Sequence, residues 1–454
     1  MTGAPDRHAP DRHAPDLHVR DEHAPDLDAD DLHGSLQDPV LGAIGFLNEV
    51  MGRHPDAISF APGAPHPEFV QGLDTRALTD RFLAHLVTDR GLDAARAERA
   101  LYEYGPAQGL INDLVAQALH ADQGIHAAPR EIVITVGAQE AMLLTLRALF
   151  RDGGDVLAVA DPCFVGIVGA ARLLDIPVTD VCEGPDGLDV DHLALRCREA
   201  REAGRRVRAC YVAPDFSNPG GARMPLALRH RLLDLAAHED LLLIEDNAYG
   251  FTAPEDDTLP GLKALDTARR VVHLGTFAKV GFPGARVGYA VADQRVRRPG
   301  GEQRLLAEEL ADLKTMVTVN TSPLSQAVVG GLLLEHGRSL AALARGKADR
   351  YRRNLACLTD ALERHLSDGM PPGVVWHRPA GGFFVRVDLP VPADLALLEV
   401  SAAEYGVLWT PMRQFSLTDR GDRQIRLSCS YLEPDRIETG VRRLAAFLRK
   451  ETGS

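Results

Sequence analysis

A largely apolar run, Val271 to Gly275, empties into a Gly/Pro loop, and the stretch from Leu274 to Tyr289, LGTFAKVGFPGARVGY, carries one lysine, Lys279, and seven residues later one arginine, Arg286. An apolar run closed by glycine and proline predicts a strand followed by a sharp loop. A lysine held at a strand end among apolar neighbours loses solvation, so its amine can be neutral near neutral pH and can form a Schiff base with an aldehyde. Arg286 can offer a planar fork to a phosphate on the same molecule. An aldehyde and a phosphate on one small molecule point to pyridoxal phosphate. The alternative for Lys279 is an ordinary solvated loop lysine, and the motif gains its weight from four further stretches upstream.

With 454 residues, 45% hydrophobic and 25% charged, the chain has room for two or three domains and a large core. It holds no run of about 18 apolar residues and no basic-then-apolar start, so a cytoplasmic protein without a membrane segment is expected. A formal charge of -14 argues against a nucleic-acid surface, which needs a clustered basic face to displace counterions from phosphates. The six cysteines, Cys163, Cys182, Cys197, Cys210, Cys357 and Cys429, form no C-x-x-C pair and no zinc spacing. Reduced thiols and no dedicated metal site follow.

Residues 1–35 are a degenerate APDRH/APDLH repeat, rich in proline and poor in large apolar side chains, and are expected to be disordered. Their five histidines could meet a metal adventitiously, but a floppy segment does not preorganise ligands. Residues 36–65 read as an N-terminal helix, Leu41 to Met51, and an arm whose Gly/Pro loop includes Gly63. Residues 66–310 read as the large domain, 311–350 as linking helices and 351–454 as a small domain.

The large domain reads as α/β. Strands at Glu131 to Val136, Val156 to Ala160, Arg208 to Ala213 and Leu241 to Ile244 alternate with helical segments, which predicts a mostly parallel sheet flanked by helices. The turn at Gly137, Ala138 and Gln139 opens a helix whose free amides make a phosphate seat. Polar residues follow the other strand ends: Phe164 after Asp161, Asn218 after Asp215, Asp246 and Tyr249 after Ile244. Ligands bind off the carboxyl ends of such strands. Glu302 to Glu335 reads as continuously helical, Ser339 to Leu366 as a long helix, and the last hundred residues as a small α+β unit with strands at 381–387, 407–410 and 424–428.

With Asn218, Asp246, Tyr249, Lys279 and Arg286 in this order, residues 55–450 resemble the fold-type I, class I/II aminotransferases that use pyridoxal phosphate. ISFAPGAPHP and PDFSNPGG are most similar to the group of 2-aminoadipate and kynurenine aminotransferases. The resemblance implies that Lys279 holds the cofactor and moves the proton at the substrate Cα, and that Asp246 pairs with the pyridine nitrogen. It implies that Asn218 and Tyr249 hydrogen-bond the ring oxygen and Phe164 stacks on the ring. The phosphate would meet the amides of Ala138 and Gln139, Thr276, Arg286, and Tyr104 from the second subunit of a homodimer. Arg426, in IRLS, would clamp the substrate carboxylate, with Gly63 and Asn218 as further substrate contacts; Arg413, where the chain departs from the family loop, could read a second anionic group on the substrate, its alternative being a solvated loop arginine. The expected partners are an amino acid and a 2-oxo acid.

Three departures stand out. The usual S-x-S-K is Thr276, Phe277, Ala278, Lys279; Asn-Pro-Thr-Gly is Asn218, Pro219, Gly220, Gly221; and T-P-G-S-x-F is Thr410, Pro411, Met412, Arg413, Gln414, Phe415. The favoured reaction is amino-group transfer. Elimination, replacement, cyclisation or oxidation of an amino acid would draw on the same residues, because the ring stabilises whichever carbanion is made. A regulator with a fused winged helix is disfavoured, since only about 35 residues precede the enzyme-like part.

Overall fold

Short apolar runs spaced by helix-forming segments assemble into one eight-stranded sheet in the computed structural model, which describes residues 27–38, 49–151, 153–367 and 369–452. The strands lie in the order Ile132–Thr135, Gly288–Val291, Val271–Thr276, Leu242–Asn247, Arg206–Val212, Asp155–Asp161, Val178–Gly184 and Gly187–Leu188. The four neighbouring pairs from Val271–Thr276 to Val178–Gly184 are parallel, whereas Gly288–Val291 runs antiparallel to both its neighbours. Asp155–Asp161 is buried along its whole length, as expected for a strand covered on both faces. The helices Gly137–Leu149, Val165–Leu173, Val190–Glu202 and Leu226–His238 alternate with these strands.

Val178–Gly184 is absent from the sequence expectations because Thr179, Asp180 and Glu183 break its apolar run, and most of the strand is only half buried. The continuous helix expected from Glu302 to Glu335 is divided. Gln303–Leu305 is a strand paired with Arg295–Arg297, and helices Leu306–Thr315 and Pro323–Glu335 are separated by residues 316–322. Ser322 caps the second helix through the Ser325 amide, with proline at its first position. That combination starts a new helix rather than extending the old one.

A second sheet runs Val375–Trp376, Phe384–Asp388, Gln424–Ser428 and Thr410–Pro411, antiparallel throughout. Ile58–Ser59 pairs with Val407–Leu408, and Val50, Ile58 and Phe60 share a core with Leu355, Leu427 and Phe447. The arm is thereby laid along the C-terminal sheet. Leu340 and Ala344, in the first turns of the helix Leu340–Leu366, join a core with Ile134 and Tyr289, while Leu355 to Leu366 join the C-terminal one.

Residues 27–38 form a unit of their own with two single-turn 3₁₀ helices, Ala29–Asp31 and Gly34–Gln37, capped by Asp28 and His33. The repeat tail up to residue 26 and most of the segment Leu41 to Met51 lie outside the described residues. Among the described residues no helix is long and apolar enough to cross a membrane.

Candidate active site

The site is built where three parallel strands end side by side. Along Leu242–Asn247 successive side chains point to opposite faces, which separates two neighbouring acids. Glu245 turns to His273, at 2.8 Å, and to the amides of Leu262 and Lys263. Asp246 turns the other way, and its Oδ2 accepts a 2.5 Å hydrogen bond from the Tyr211 hydroxyl on the adjacent strand. Its Oδ1 is buried with no hydrogen-bond partner among the described residues. Burial raises the Asp246 pKa, against the opposing pull of the Tyr211 hydroxyl, His273 and Lys279.

Lys279 stands on the turn Phe277–Val280 that follows the strand Val271–Thr276. The Thr276 hydroxyl accepts the Ala278 amide at 3.1 Å and so starts that turn. Lys279 Nζ donates to the Gly63 carbonyl at 2.6 Å and lies 5.9 Å from the centre of the Tyr249 ring. Desolvation, reinforced by the charges of Arg426 and Arg286 and opposed by Asp246, lowers its pKa to about 8. A second lysine, Lys347, donates to the carbonyls of Val280 and of Gly281, the latter at 2.9 Å. It ties the end of the Lys279 turn to the long helix.

The turn after Ile132–Thr135 makes an anion seat. Gly137, at φ +72°, opens the helix Gly137–Leu149, which has no side-chain cap. Arg286 ends the turn Pro283–Ala285 and lies so close to Gly137 that a methyl there would overlap its guanidinium. The Arg286 amide donates to the Pro283 carbonyl at 3.2 Å, and among the described residues its guanidinium makes no hydrogen bond or ion pair. Glu140 fixes the turn by accepting the Val136 amide and the buried Lys314 ammonium, each at 2.6 Å. Ala138 follows Gly137, the Gln139 side chain donates to the Gly166 carbonyl at 2.8 Å, and Phe164 is half buried beside Gly166.

Arg426, on Gln424–Ser428, reaches in from the C-terminal sheet. Its guanidinium donates to Asn218 Oδ1 and to the Ala61 carbonyl, both at 2.8 Å, and to Thr410 Oγ1 at 3.3 Å. It lies 4.4 and 4.8 Å from the ring centres of Phe384 and Phe415, and its Nε has no hydrogen-bond partner among the described residues. Desolvation brings its pKa down to about 10. Tyr249 packs edge-on against Phe383 and Phe384, and burial raises its pKa.

Lys279, Asp246, Tyr249, Asn218, Arg426 and Gly63 are thus brought together, with Ala138, Gln139 and Arg286 at the neighbouring helix start. Tyr104 belongs by expectation to the site of a second subunit, and Arg413, expected here, is not gathered in. Tyr104 is 89% exposed. Arg413 donates to the Thr418 carbonyl at 2.6 Å and pairs with Asp422 at 3.2 Å within its own loop, so it is spent on that loop. The Thr276 hydroxyl is already engaged as a cap. Sequence reasoning missed Tyr211, Lys347 and Phe384, whereas Phe415 stands at the Phe of the Thr410–Phe415 loop motif. Tyr211 had one signal, a polar tip near the end of a buried strand, and the other two had none.

The arrangement pairs a lysine of lowered pKa with a buried, half-unpartnered carboxylate, next to an anion seat and a buried arginine fork. A profile described as aminotransferase class I and II matches residues 79–444. The chain is 48% identical over 417 residues to the (S)-3,5-dihydroxyphenylglycine transaminase of Amycolatopsis orientalis, covering 92% of this chain and 93% of that one. It is 32% identical to the 2-aminoadipate transaminase of Thermus thermophilus over 87% of this chain and 91% of that one. The crystal structure of Pyrococcus horikoshii kynurenine aminotransferase superposes with a TM-score of 0.76 at 28% identity, covering 90% and 94% of the two chains.

Proposed function

The chain belongs to the class I and II aminotransferase family and is a pyridoxal-phosphate enzyme of amino-group transfer, and from that premise we propose that its amino donor is an aryl-substituted 2-amino acid of the phenylglycine type, with a 2-oxo acid as acceptor. The observation that carries the substrate class is the 48% identity to a dihydroxyphenylglycine transaminase across nine-tenths of both chains. The aromatic walls beside Arg426, formed by Phe384, Phe415 and Tyr249, suit a flat ring attached directly to Cα.

The residues fit the cofactor. When bound, pyridoxal phosphate supplies an aldehyde that exchanges between amines and a ring that takes up the electron pair left at the substrate Cα. Asp246 Oδ1, buried without a partner, is the acceptor for the pyridine N–H, and Tyr211 holds that carboxylate in orientation. Arg286, the hydroxyl of Thr276 and the amides of Ala138 and Gln139 take the phosphate at the helix start. Phe164 would lie against the ring, and Asn218 and Tyr249 would hydrogen-bond its oxygen. Arg426 presents a fork to the substrate carboxylate, orienting the Cα–H towards Lys279. Lys279, whose amine is about half neutral near pH 8, takes that proton and returns it.

The working form in this reading is a cytoplasmic homodimer. Tyr102, Tyr104, Met316, Val317 and Val319 expose their side chains, and Gly105 faces Asn320, so the two loops adjoin and present an apolar surface for a second copy. Tyr104 would complete the phosphate site across that contact. All six cysteines are unpaired, in keeping with a reducing compartment. The arm and residues 351–454 act as the part that closes over substrate.

The test mixes stoichiometric holoenzyme with hydroxyphenylglycines, 2-aminoadipate and kynurenine in the absence of any oxo acid, and identifies products by mass. Conversion of the cofactor to its amine form with one equivalent of arylglyoxylate is expected for the phenylglycines. Conversion by 2-aminoadipate alone would overturn the substrate class but leave the reaction in place.

A further inference from the structure

Glu183 is a charged residue that the catalytic reading leaves unused, although it stands at the carboxyl end of the sheet beside the Asn218 turn. We propose that Glu183 is a positioning residue for amino transfer: its carboxyl takes the space a side chain at residue 220 would occupy and, through Ser217, sets the turn that holds Asn218 against Arg426.

The turn closes on Ser217. The Ser217 amide donates to the Ala222 carbonyl at 3.0 Å, the Gly221 amide to the Ser217 carbonyl at 2.7 Å, and the Ala222 amide to Ser217 Oγ at 3.3 Å. Having accepted there, the same hydroxyl donates to Glu183 Oε1 at 3.0 Å, which uses its one proton and fixes its rotor. Asn218 is the next residue, and its Oδ1 receives Arg426. Gly220 cannot carry a side chain while Glu183 stands where it does, because a methyl there would overlap Oε1 and lie 3.1 Å from Ser217 Oγ. On the other side a methyl on Gly221, at φ +74°, would come within 2.7 Å of the Phe384 carbonyl and of His377 Nε2. The turn is therefore gripped between Glu183 on the large sheet and the strand Phe384–Asp388 on the small one.

Charge supports the same arrangement. Arg386 and Arg426 are directly opposite each other in the small sheet, and like charges in register repel. Arg386 has Asp388 at 3.6 Å and the field of Glu183, while Arg426 is left for a substrate anion. Burial pushes the Glu183 carboxyl up to about 7 against the pull of the Ser217 hydroxyl and Arg386, with Asp161 adding to the rise.

The inference rests on Asn218 meeting the bound cofactor, so Asn218→Ala is the control. In holoenzyme, Glu183→Ala and Gly220→Ala are each expected to raise KM for the amino donor about tenfold, the worth of one hydrogen bond to a charged group, with a smaller change in kcat. Both should move the pH midpoint of the cofactor's visible band in the direction that Asn218→Ala moves it. Glu183→Gln keeps an acceptor for Ser217 and should stay within about threefold of the parent. The double variant Glu183→Ala/Gly220→Ala should be no worse than Gly220→Ala alone, since the shortened side chain makes room for the methyl. Additive losses in the double variant, or an unmoved midpoint in both single variants while Asn218→Ala moves it, would overturn the role of Glu183. An unmoved midpoint in Asn218→Ala itself would instead overturn the placement of the cofactor.

Discussion

Replacing Lys279 by methionine tests the electrostatics of the site without any chemistry. In the cofactor-free protein the amine has a pKa of about 8 rather than 10.5, because burial and the charges of Arg426 and Arg286 outweigh Asp246. At about 1.4 kcal/mol per tenfold change in proton affinity, holding this amine charged in the folded state costs ~3 kcal/mol. The sign follows from linkage. Below pH 8 both folded and unfolded chains carry the proton and the cost is borne in full. Between pH 8 and 10.5 the unfolded chain binds more protons, so stability rises with pH, and above 10.5 the cost is gone. Relative to the parent, Lys279→Met should therefore gain about 3 kcal/mol more at pH 7 than at pH 10.5. Urea unfolding of both apo proteins across that range reads the difference, in which the titration of all other groups cancels. A difference that does not change with pH would refute the depressed pKa, and one growing with pH would mean that Asp246 dominates the site.

Asp246→Asn should bind the cofactor yet lose roughly 10²–10³ in kcat, because an amide cannot hold a proton on the ring nitrogen as a carboxylate does; Tyr211→Phe, which removes only the 2.5 Å hydrogen bond, should lose about tenfold. Steady-state rates with a saturating amino donor check both. Arg426→Lys keeps the charge but not the fork, and should raise KM for the amino donor by about 100-fold with less effect on kcat, read from initial rates against donor concentration. Gly63→Ala would place a methyl 2.8 Å from Phe384 Cζ, beside the carbonyl that receives Lys279. It should raise KM about tenfold, and Gly63→Ala/Phe384→Leu should recover part of that loss.

Much of the site was legible because its signals are local. Lys279, Arg286, Asp246 and Gly137 each sit where an apolar run meets glycine, proline or a polar residue, and the strand end itself dictates that the side chain faces the ligand edge. Family resemblance then joined these stretches and supplied Arg426, whose own surroundings, a short strand near the C-terminus, say little. The helix expected over 302–335 failed locally, since Ser322 and Pro323 were a restart signal inside an otherwise periodic run. The strand Val178–Gly184 failed because a half-buried strand next to the sheet edge, with polar residues along it, lacks the period that marks a buried one.

By itself the sequence determined which side chains are available at strand ends, the small-residue turn that opens a helix at Gly137, and the α/β pattern that lines them up. These depend on backbone preference and hydrophobic period over a few residues. Only the tertiary structure decided which distant groups meet them. Gly63 reaches Lys279 across 216 positions of chain, Asn218 reaches Arg426 across 208, and Tyr211 reaches Asp246 because two strands pair in one register out of several. It also decided that Arg413 serves its own loop and that Glu183 fills the space beside Gly220. Strand order, register and close packing set those contacts, and none of them is a property of any short stretch of chain.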